Sequence, residues 1–187
     1  MHTQNLFNIL NSIKPLTEPL RSYLSEHTFP YKFVKGDQLI YQEPTSRIIY
    51  FIDYGLVCGI KIFNNKKTTL WFSNDGQFIL PTLTASRNQF IERIEFQNPT
   101  LLVGMKYENA VKALGLFPEA KALFLKVIDK NIEEAQDRER FLRLSPLERH
   151  KVISIRIPFI FMLCDLKTMA SYLNISLTQH QRIKRKL

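Results

Sequence analysis

Short apolar runs dominate the middle of the chain and alternate with turn residues. The runs are rich in Ile, Val, Phe, Tyr and Thr, and turn segments such as Gly36-Asp37 separate them. Runs of this length and composition, bounded by turn signals, predict β-strands. Many evenly spaced short strands are typical of a closed or two-sheet β architecture. The predicted strands cover residues 33–42, 47–55, 56–63, 68–73, 77–80, 90–96 and 100–106.

Helical periodicity is found on both sides of this central region. Residues 4–13 and 17–27 predict an N-terminal helix or a pair of helices. After the strands, Pro118 suits the first turn of a helix, and no proline or glycine follows before Pro146. The pattern therefore predicts one long helix over residues 118–144.

The long helix carries an apolar seam. Its members recur at spacings of three, four, three and seven residues, with Glu139 at the missing position, which is a heptad-like pattern. We expect this seam to pair with the same helix of a second copy. A helix that only packs against its own sheets would show a similar stripe, so both arrangements stay open. The seam comprises Leu125, Ile128, Ile132, Ala135 and Leu142.

Two short helices at the end of the chain predict a helix-turn-helix. Asp165 is a suitable N-cap for the first of them, and Asn174 stands where the backbone must turn sharply. Ser176 and Gln179 have the spacing of a capping box for the last helix. The outer face of that helix is polar and basic. Its inward stripe comprises His180, Ile183 and Leu187.

Positive charge is concentrated at this end of the chain. The 187 residues carry a formal net charge of +9, and residues 138–187 hold 11 Lys or Arg against 3 acidic residues. Such asymmetry predicts a polyanionic partner, either nucleic acid or a membrane surface. The helix-turn-helix favours double-stranded DNA, because a helix lying on a membrane needs a wide apolar face.

Other sequence features argue against several classes of function. Cys58 and Cys164 each lie within an apolar run, which indicates buried thiols in a reducing compartment, and no zinc-ligand spacing occurs. No secretory leader and no bilayer-spanning apolar run is present, so we expect a cytoplasmic protein without a membrane partner. No nucleophile-base pair, phosphate loop or paired carboxylates stand out. The sequence therefore predicts neither an enzyme nor a metal site.

Two sets of motifs give the chain a family resemblance. The segment LKTMASYLNISLTQHQRIKRKL resembles the C-terminal helix-turn-helix of the Crp-Fnr family of bacterial transcription regulators. The segments FVKGDQLIYQE, IYFIDYGLV and NDGQF are similar, in this order, to parts of the family's cyclic-nucleotide-binding β-roll. The resemblance implies an α+β fold with domains 1–117, 118–144 and 145–187. These would be an antiparallel β-roll of the double-stranded jelly-roll type with flanking helices, a long dimerisation helix, and a small all-α helix-turn-helix domain that lacks the family's wing.

The likeness fails at the ligand pocket of the roll. Family members that bind cyclic nucleotides have a Gly-Glu pair followed by an arginine, whereas this chain has Leu80-Pro81 and then Phe90 near the place of the arginine. Burying a phosphate without a cation or converging amides is costly, so these residues argue against the cyclic nucleotide that the family implies. The family's iron–sulfur alternative needs more cysteines. The expected pocket, for a small-molecule effector or none, comprises Phe78, Leu80, Arg87 and Phe90.

Together these observations predict a homodimeric, sequence-specific DNA-binding transcription regulator. In the major groove, Arg182 suits a bidentate contact to guanine, and Gln179 or Gln181 suits adenine. The residues expected at the groove are Ser176, Thr178, Gln179, Gln181 and Arg182, with Lys184, Arg185 and Lys186 on phosphates. The alternative is a ligand-sensing β-roll protein whose C-terminal helices bind a protein partner rather than DNA.

Overall fold

Two antiparallel sheets form a β-roll. The computed structural model describes residues 3–41, 48–80 and 91–186. Within these ranges, one sheet has the strand order β1-β8-β3-β6 and the other the order β2-β7-β4-β5. The predicted antiparallel roll is therefore confirmed. The strands are β1 (Thr28–Phe33), β2 (Gln38–Tyr41), β3 (Ile48–Tyr54), β4 (Leu56–Phe63), β5 (Lys66–Asn74), β6 (Phe78–Ile79), β7 (Ile91–Phe96) and β8 (Thr100–Lys106).

Side chains of the first sheet alternate between two apolar cores. Tyr50 of β3 points into the roll, and the next residue, Phe51, points towards the helices. Gly104 of β8 leaves room for aromatic rings inside the roll, because a Cβ there would lie 2.6 Å from the ring of Tyr31 and 3.0 Å from that of Tyr50. The inner core comprises Tyr50, Ile52, Val57, Ile79, Ile94, Phe96 and Leu102.

Helices cover the outer face of the first sheet and continue into a C-terminal helical region. Their shared core with the sheet comprises Leu6, Phe7, Leu10, Leu20, Phe51, Val103, Ala113, Ala120 and Leu123. None of the described helices is both long and apolar enough to cross a bilayer. The helices are α1 (Gln4–Ile13), α2 (Glu18–His27), α3 (Tyr107–Leu116), α4 (Pro118–Leu142), α5 (Pro146–Arg156), α6 (Ile160–Leu163), α7 (Leu166–Leu173) and α8 (Leu177–Lys184).

The sequence patterns do not predict three of these elements: β1, α3 and α6. β1 contains Pro30, which is tolerated because β1 lies at the edge of its sheet. α3 follows Lys106, whose side chain makes no capping hydrogen bond, and α6 follows Phe159, which has a left-handed φ of 69°. The usual N-cap signals are therefore missing at both helices. The predicted run 33–42 is divided by a turn, so only its last residues form β2.

The C-terminal helices pack against β5, the last strand of the second sheet. The pairing of β5 with β4 shifts in register beside Leu70, and backbone groups of β5 bind the helices there. The N–H of Thr69 donates to Oγ of Ser171 at 2.9 Å, and Nε of Arg138 donates to the carbonyl of Leu70 at 3.0 Å. Nη2 of Arg138 also donates to the carbonyl of Tyr172 at 2.6 Å. One side chain of α4 therefore joins β5 to α7.

Candidate nucleic-acid interface

Capping residues at both ends of α7 fix the turn into α8. Oδ1 of Asp165 accepts hydrogen bonds from two backbone N–H groups of the first turn, both at 2.8 Å. Asn174 ends α7 in the left-handed region with φ 51°, a conformation that Asn adopts more readily than most residues. Oγ of Ser176 accepts from the N–H of Gln179 at 3.1 Å and opens α8. The predicted helix-turn-helix is present with these residues at its caps.

The outer face of α8 is polar and basic. Ser176, Thr178 and Gln181 are exposed, and Gln179 is half-buried. Four cationic side chains in α8 and directly after it are exposed: Arg182, Lys184, Arg185 and Lys186. None of the four forms an ion pair with another described residue. Their charge is therefore available to a polyanion in solution.

A pair of buried histidines lies beneath this face. His180 of α8 is 0% exposed and His150 of α5 is 6% exposed. Their ring centroids are 5.7 Å apart, and the His150 ring stacks on Phe161 of α6 at 4.0 Å. The four ring nitrogens have no hydrogen-bond partner among the described residues. The two imidazoles therefore occupy an environment that suits apolar side chains.

Burial and nearby positive charge act on both histidines in the same direction. Burial lowers the pKa of His180, and the ammonium group of Lys184 lowers it further. The pKa of His150 is lowered by burial, by His180 and by Lys184. Both rings are therefore neutral near pH 7. His150 precedes the buried Ile153 by three residues, a spacing that indicates an inward position, but its meeting with His180 requires the folded arrangement.

Arg149 of α5 binds backbone carbonyl groups near the turn between α7 and α8. Its Nε donates to the carbonyl of Leu144 at 2.9 Å, and its Nη1 donates to the carbonyl of Leu173. Cations commonly bind the last carbonyl groups of a helix in this way. Arg149 belongs to the excess of positive charge seen in the sequence, but its guanidinium group binds backbone within the helical region. The sequence alone does not distinguish Arg149 from the exposed cationic residues at α8.

The apolar seam of α4 faces solvent. Leu125 is 60% exposed, Ile132 is 51% exposed and Leu142 is 36% exposed. Ala135 is exposed and Ile128 is half-buried. A stripe of this kind on a long helix is available to a matching helix. The opposite face of α4 is buried against the rest of the chain through Ala120, Leu123, Val127 and Phe141.

A groove of about 930 Å³ lies between β5 and β6 on one side and α4, α5 and α7 on the other. Phe78 and Leu80, two of the four expected pocket residues, line it. The other two, Arg87 and Phe90, lie outside the described residues. Nη1 of Arg138 is buried at this groove without a hydrogen-bond partner among the described residues. Oγ1 of Thr69 is unpartnered in the same lining, so the groove combines a cationic donor and a hydroxyl with apolar side chains.

The two cysteines are buried and unpaired. Burial raises the pKa of both thiols, that of Cys164 to about 12, and Nε2 of Gln97 donates to Sγ of Cys58 at 3.1 Å. Thiols that stay protonated at neutral pH are poor nucleophiles and poor metal ligands. Over residues 3–41, 48–80 and 91–186, no three His, Cys, Asp or Glu side chains come together as metal ligands would.

A β-roll, a long helix with an uncovered apolar seam and a helix-turn-helix with a basic outer face together define the fold of Crp-Fnr regulators. No protein-family model and no curated protein matches the sequence.

Solved structures do match the fold. FixK2 from Bradyrhizobium japonicum aligns with a TM-score of 0.70 at 15% identity, over 86% of this chain and 84% of that chain. A cyclic nucleotide-binding domain containing protein from Listeria monocytogenes EGD-e gives 0.71 at 11% identity, over 98% and 90%. A protein from Eubacterium rectale ATCC 33656, described as a crp/fnr-family transcriptional regulator, gives 0.69 at 14% identity, over 98% and 87%. The fold implied by the sequence resemblance is confirmed.

Proposed function

We propose that the chain is a sequence-specific DNA-binding regulator of transcription that acts as a homodimer and catalyses no reaction. The observation that carries the proposal is the end of the chain from α8 onwards, which exposes four cationic side chains while His180 and Ile183 of α8 are buried. A helix held on one side and polar and cationic on the other is suited to the major groove. The fold shared with Crp-Fnr regulators supports the same role.

The residues of α8 and its cap divide into two proposed roles. Arg182 would make a bidentate contact to guanine, and Gln181 is the exposed glutamine for adenine. Gln179 is half-buried, so its contact with a base requires its side chain to extend. Ser176 and Thr178 are exposed at the N-terminal end of α8, where they would lie next to the major groove of DNA. Lys184, Arg185 and Lys186, at the other end, would bind phosphates.

Dimerisation through α4 completes the proposal. One short helix reads few bases, whereas two copies related by a twofold axis read half-sites about 34 Å apart. The seam Leu125, Ile128, Ile132, Ala135 and Leu142 is the proposed contact between the two copies. The chain then divides into a sensor domain (1–117), a dimerisation helix (118–144) and a DNA-binding domain (145–187).

The proposed effector site is the groove between β5, β6 and α4. Leu80 lines it, at the position where the family has the glycine of its Gly-Glu pair. Arg138 supplies a guanidinium group whose Nη1 is unpaired among the described residues. Thr69 of β5, whose Oγ1 also has no hydrogen-bond partner among the described residues, lines the same groove. We therefore expect an effector with a hydrogen-bond acceptor for Arg138 and a polar group for the Thr69 hydroxyl.

DNA binding is tested by selecting a target sequence with the intact protein and titrating variants against it. Arg182→Ala is expected to lose about 1–3 kcal/mol of discrimination at one base position, because a bidentate contact to that base is removed. Lys186→Ala is expected to weaken binding to all sequences and to lower the slope of log affinity against log salt by about 1 for each copy of the residue. The measurement is fluorescence anisotropy at several salt concentrations.

Arg140→Ala is the matched control for these variants, because Arg140 is exposed on α4 and paired with Asp137 at 3.3 Å. It should leave both specificity and salt slope unchanged. Failure to select any sequence, or equal effects of Arg182→Ala and Arg140→Ala, would contradict the proposal.

A protein partner is the second candidate for the C-terminal region. Three large apolar side chains near α6 favour it, since Ile155 is 80% exposed, Phe159 is 72% exposed and Met162 is 78% exposed. Steep loss of DNA affinity with added salt, together with protection of a palindromic site, would exclude this candidate as the main function. DNA binding that stays weak and salt-insensitive would favour it.

A further inference from the structure

A second cavity lies between the helices and the outer face of the first sheet, next to the groove, with which it shares the lining residues Phe78 and Leu80. Its volume is about 120 Å³, and we call it the helix–sheet cavity. All five of α1, α2, α3, α4 and the sheet contribute to its wall. Its lining includes Phe51 of β3, Ala113 of α3, and Leu123, Phe124 and Val127 of α4.

The lining is apolar throughout the described residues. Leu, Ile, Val, Phe, Met and Ala side chains form it, and Thr28 is the one exception. Oγ1 of Thr28 already donates to the carbonyl of Leu24 at 2.7 Å. No lining side chain has a buried polar atom without a partner. Because a buried water needs two or more polar partners, water gains little by entering.

We propose that the helix–sheet cavity binds a small apolar molecule, a single aromatic ring or an alkyl chain of about six carbons. A dry cavity of about 150 Å³ with a lining of Leu, Ile and Phe is known to bind benzene or xenon. The present cavity has the same kind of lining and nearly this volume, and it is partly open to solvent. Binding here would differ in chemistry from binding in the groove, where Arg138 supplies a polar contact.

The occupant would contact the helix proposed for dimerisation. Leu123 and Val127 of α4 face the cavity, whereas Leu125 and Ile132 of the same helix form the exposed seam. A ligand that packs against the cavity-facing side of α4 therefore stabilises the helix that carries the exposed seam. This consequence for the dimer rests on the proposed function, whereas ligand binding itself does not.

Benzene is the probe for the test, added to the full-length chain in a sealed cell. A ligand that binds only the folded state raises the melting temperature of the protein. We therefore expect 10 mM benzene to raise the melting temperature of the wild type by about 4 °C. Ala113→Met places a larger side chain in the cavity and should reduce the rise to below about 1 °C. Ala110→Leu fills the same cavity from the same helix and serves if the first variant does not fold.

Gly115→Met is the matched control. Gly115 also lies on α3, but a Cβ at this position meets no atom within 4 Å, so the added side chain should leave the benzene effect intact. Methyl NMR spectra should place the largest benzene-induced shifts on Leu123 and Val127. The proposal is overturned by no rise in the wild type, by an equal rise in Ala113→Met and Gly115→Met, or by shifts centred on Ile157, which lines the groove. None of these measurements involves DNA. A negative result would therefore contradict ligand binding in the cavity and would leave the proposed DNA-binding function untouched.

Discussion

Position 180 puts an ionisable ring where α8 packs on its neighbours. His180 contacts His150 and Phe161 in the interior, and both imidazoles have unpartnered nitrogens among the described residues. A buried polar group without a hydrogen bond costs roughly 1–3 kcal/mol in mutational data, and a charged one costs more. Acid should therefore act on the fold through these two residues.

The free energy of unfolding is expected to fall as pH falls from 7 to 5. The folded-state pKa of both histidines lies below the ordinary 6.5. In this window the unfolded chain therefore takes up protons that the folded chain does not. Each histidine can contribute a slope of up to about 1.4 kcal/mol per pH unit, and stability is fully present above the unfolded pKa. Urea unfolding at pH 5, 6, 7 and 8 measures the slope.

His180→Leu isolates the contribution of the pair from that of other groups. Leucine suits the apolar site, so the variant should be at least as stable as the wild type at pH 5, with a smaller slope between pH 5 and 7. His150→Leu should behave similarly. Identical slopes in wild type and both variants would mean that protonation elsewhere controls acid sensitivity.

At the scale of the element, α4, the proposed dimerisation helix, is apolar on two faces. One face is buried in the chain at Leu123 and Val127, and the other leaves Leu125 and Ile132 more than half exposed. An amphipathic helix needs only one apolar face to pack on its own domain. The second face therefore calls for another helix.

If the chain dimerises through α4 as proposed, Ile132→Glu is expected to give a folded monomer. The substitution places like charges opposite each other across the proposed seam, while the buried face of α4 is unchanged. Sedimentation velocity measures the oligomeric state. Lys130→Glu, at an exposed position of α4 outside the seam, is the control and should stay dimeric. A dimer that survives Ile132→Glu would place the contact elsewhere.

The starts of α7 and α8 could be predicted from their capping residues, whereas the start of α6 could not. Asp165 and Ser176 cap α7 and α8 as expected. α6 begins after a left-handed phenylalanine, Phe159, which no local rule assigns to a cap. The basic outer face of α8 follows from its spacing, but the pairing of His150 with His180 depends on how α5 packs against α8. Long-range packing of this kind leaves no local pattern in the sequence.

At the scale of the whole molecule, Arg138 joins the roll to the helical region. Its guanidinium group lies 3.9 Å from the ring centroid of Tyr172 and donates to backbone carbonyls of both β5 and α7. The rings of Phe72 and Tyr172 add an apolar contact, 4.8 Å between centroids. The two parts of the chain are therefore held by one central side chain and the surfaces around it.

Arg138→Ala is expected to lower the free energy of unfolding by about 3 kcal/mol, because hydrogen bonds from a charged group contribute about 1.5–3 kcal/mol each. Arg140→Ala removes only an exposed ion pair and should cost less than about 0.5 kcal/mol. Urea unfolding measures both, and limited proteolysis should cut Arg138→Ala first near residue 144. Equal stability of the two variants would mean that the remaining contacts, such as the Thr69–Ser171 hydrogen bond and the apolar packing, hold the helical region in place.

The cover on β5 also bears on solubility. Ser171 and Arg138 occupy backbone groups of the outermost strand, which would otherwise be free to pair with a strand of another molecule. If the C-terminal helices detached, the unpaired backbone groups of β5 would become exposed and could pair with a strand of another molecule. Firm attachment of these helices therefore protects the protein from aggregation, whatever else it does.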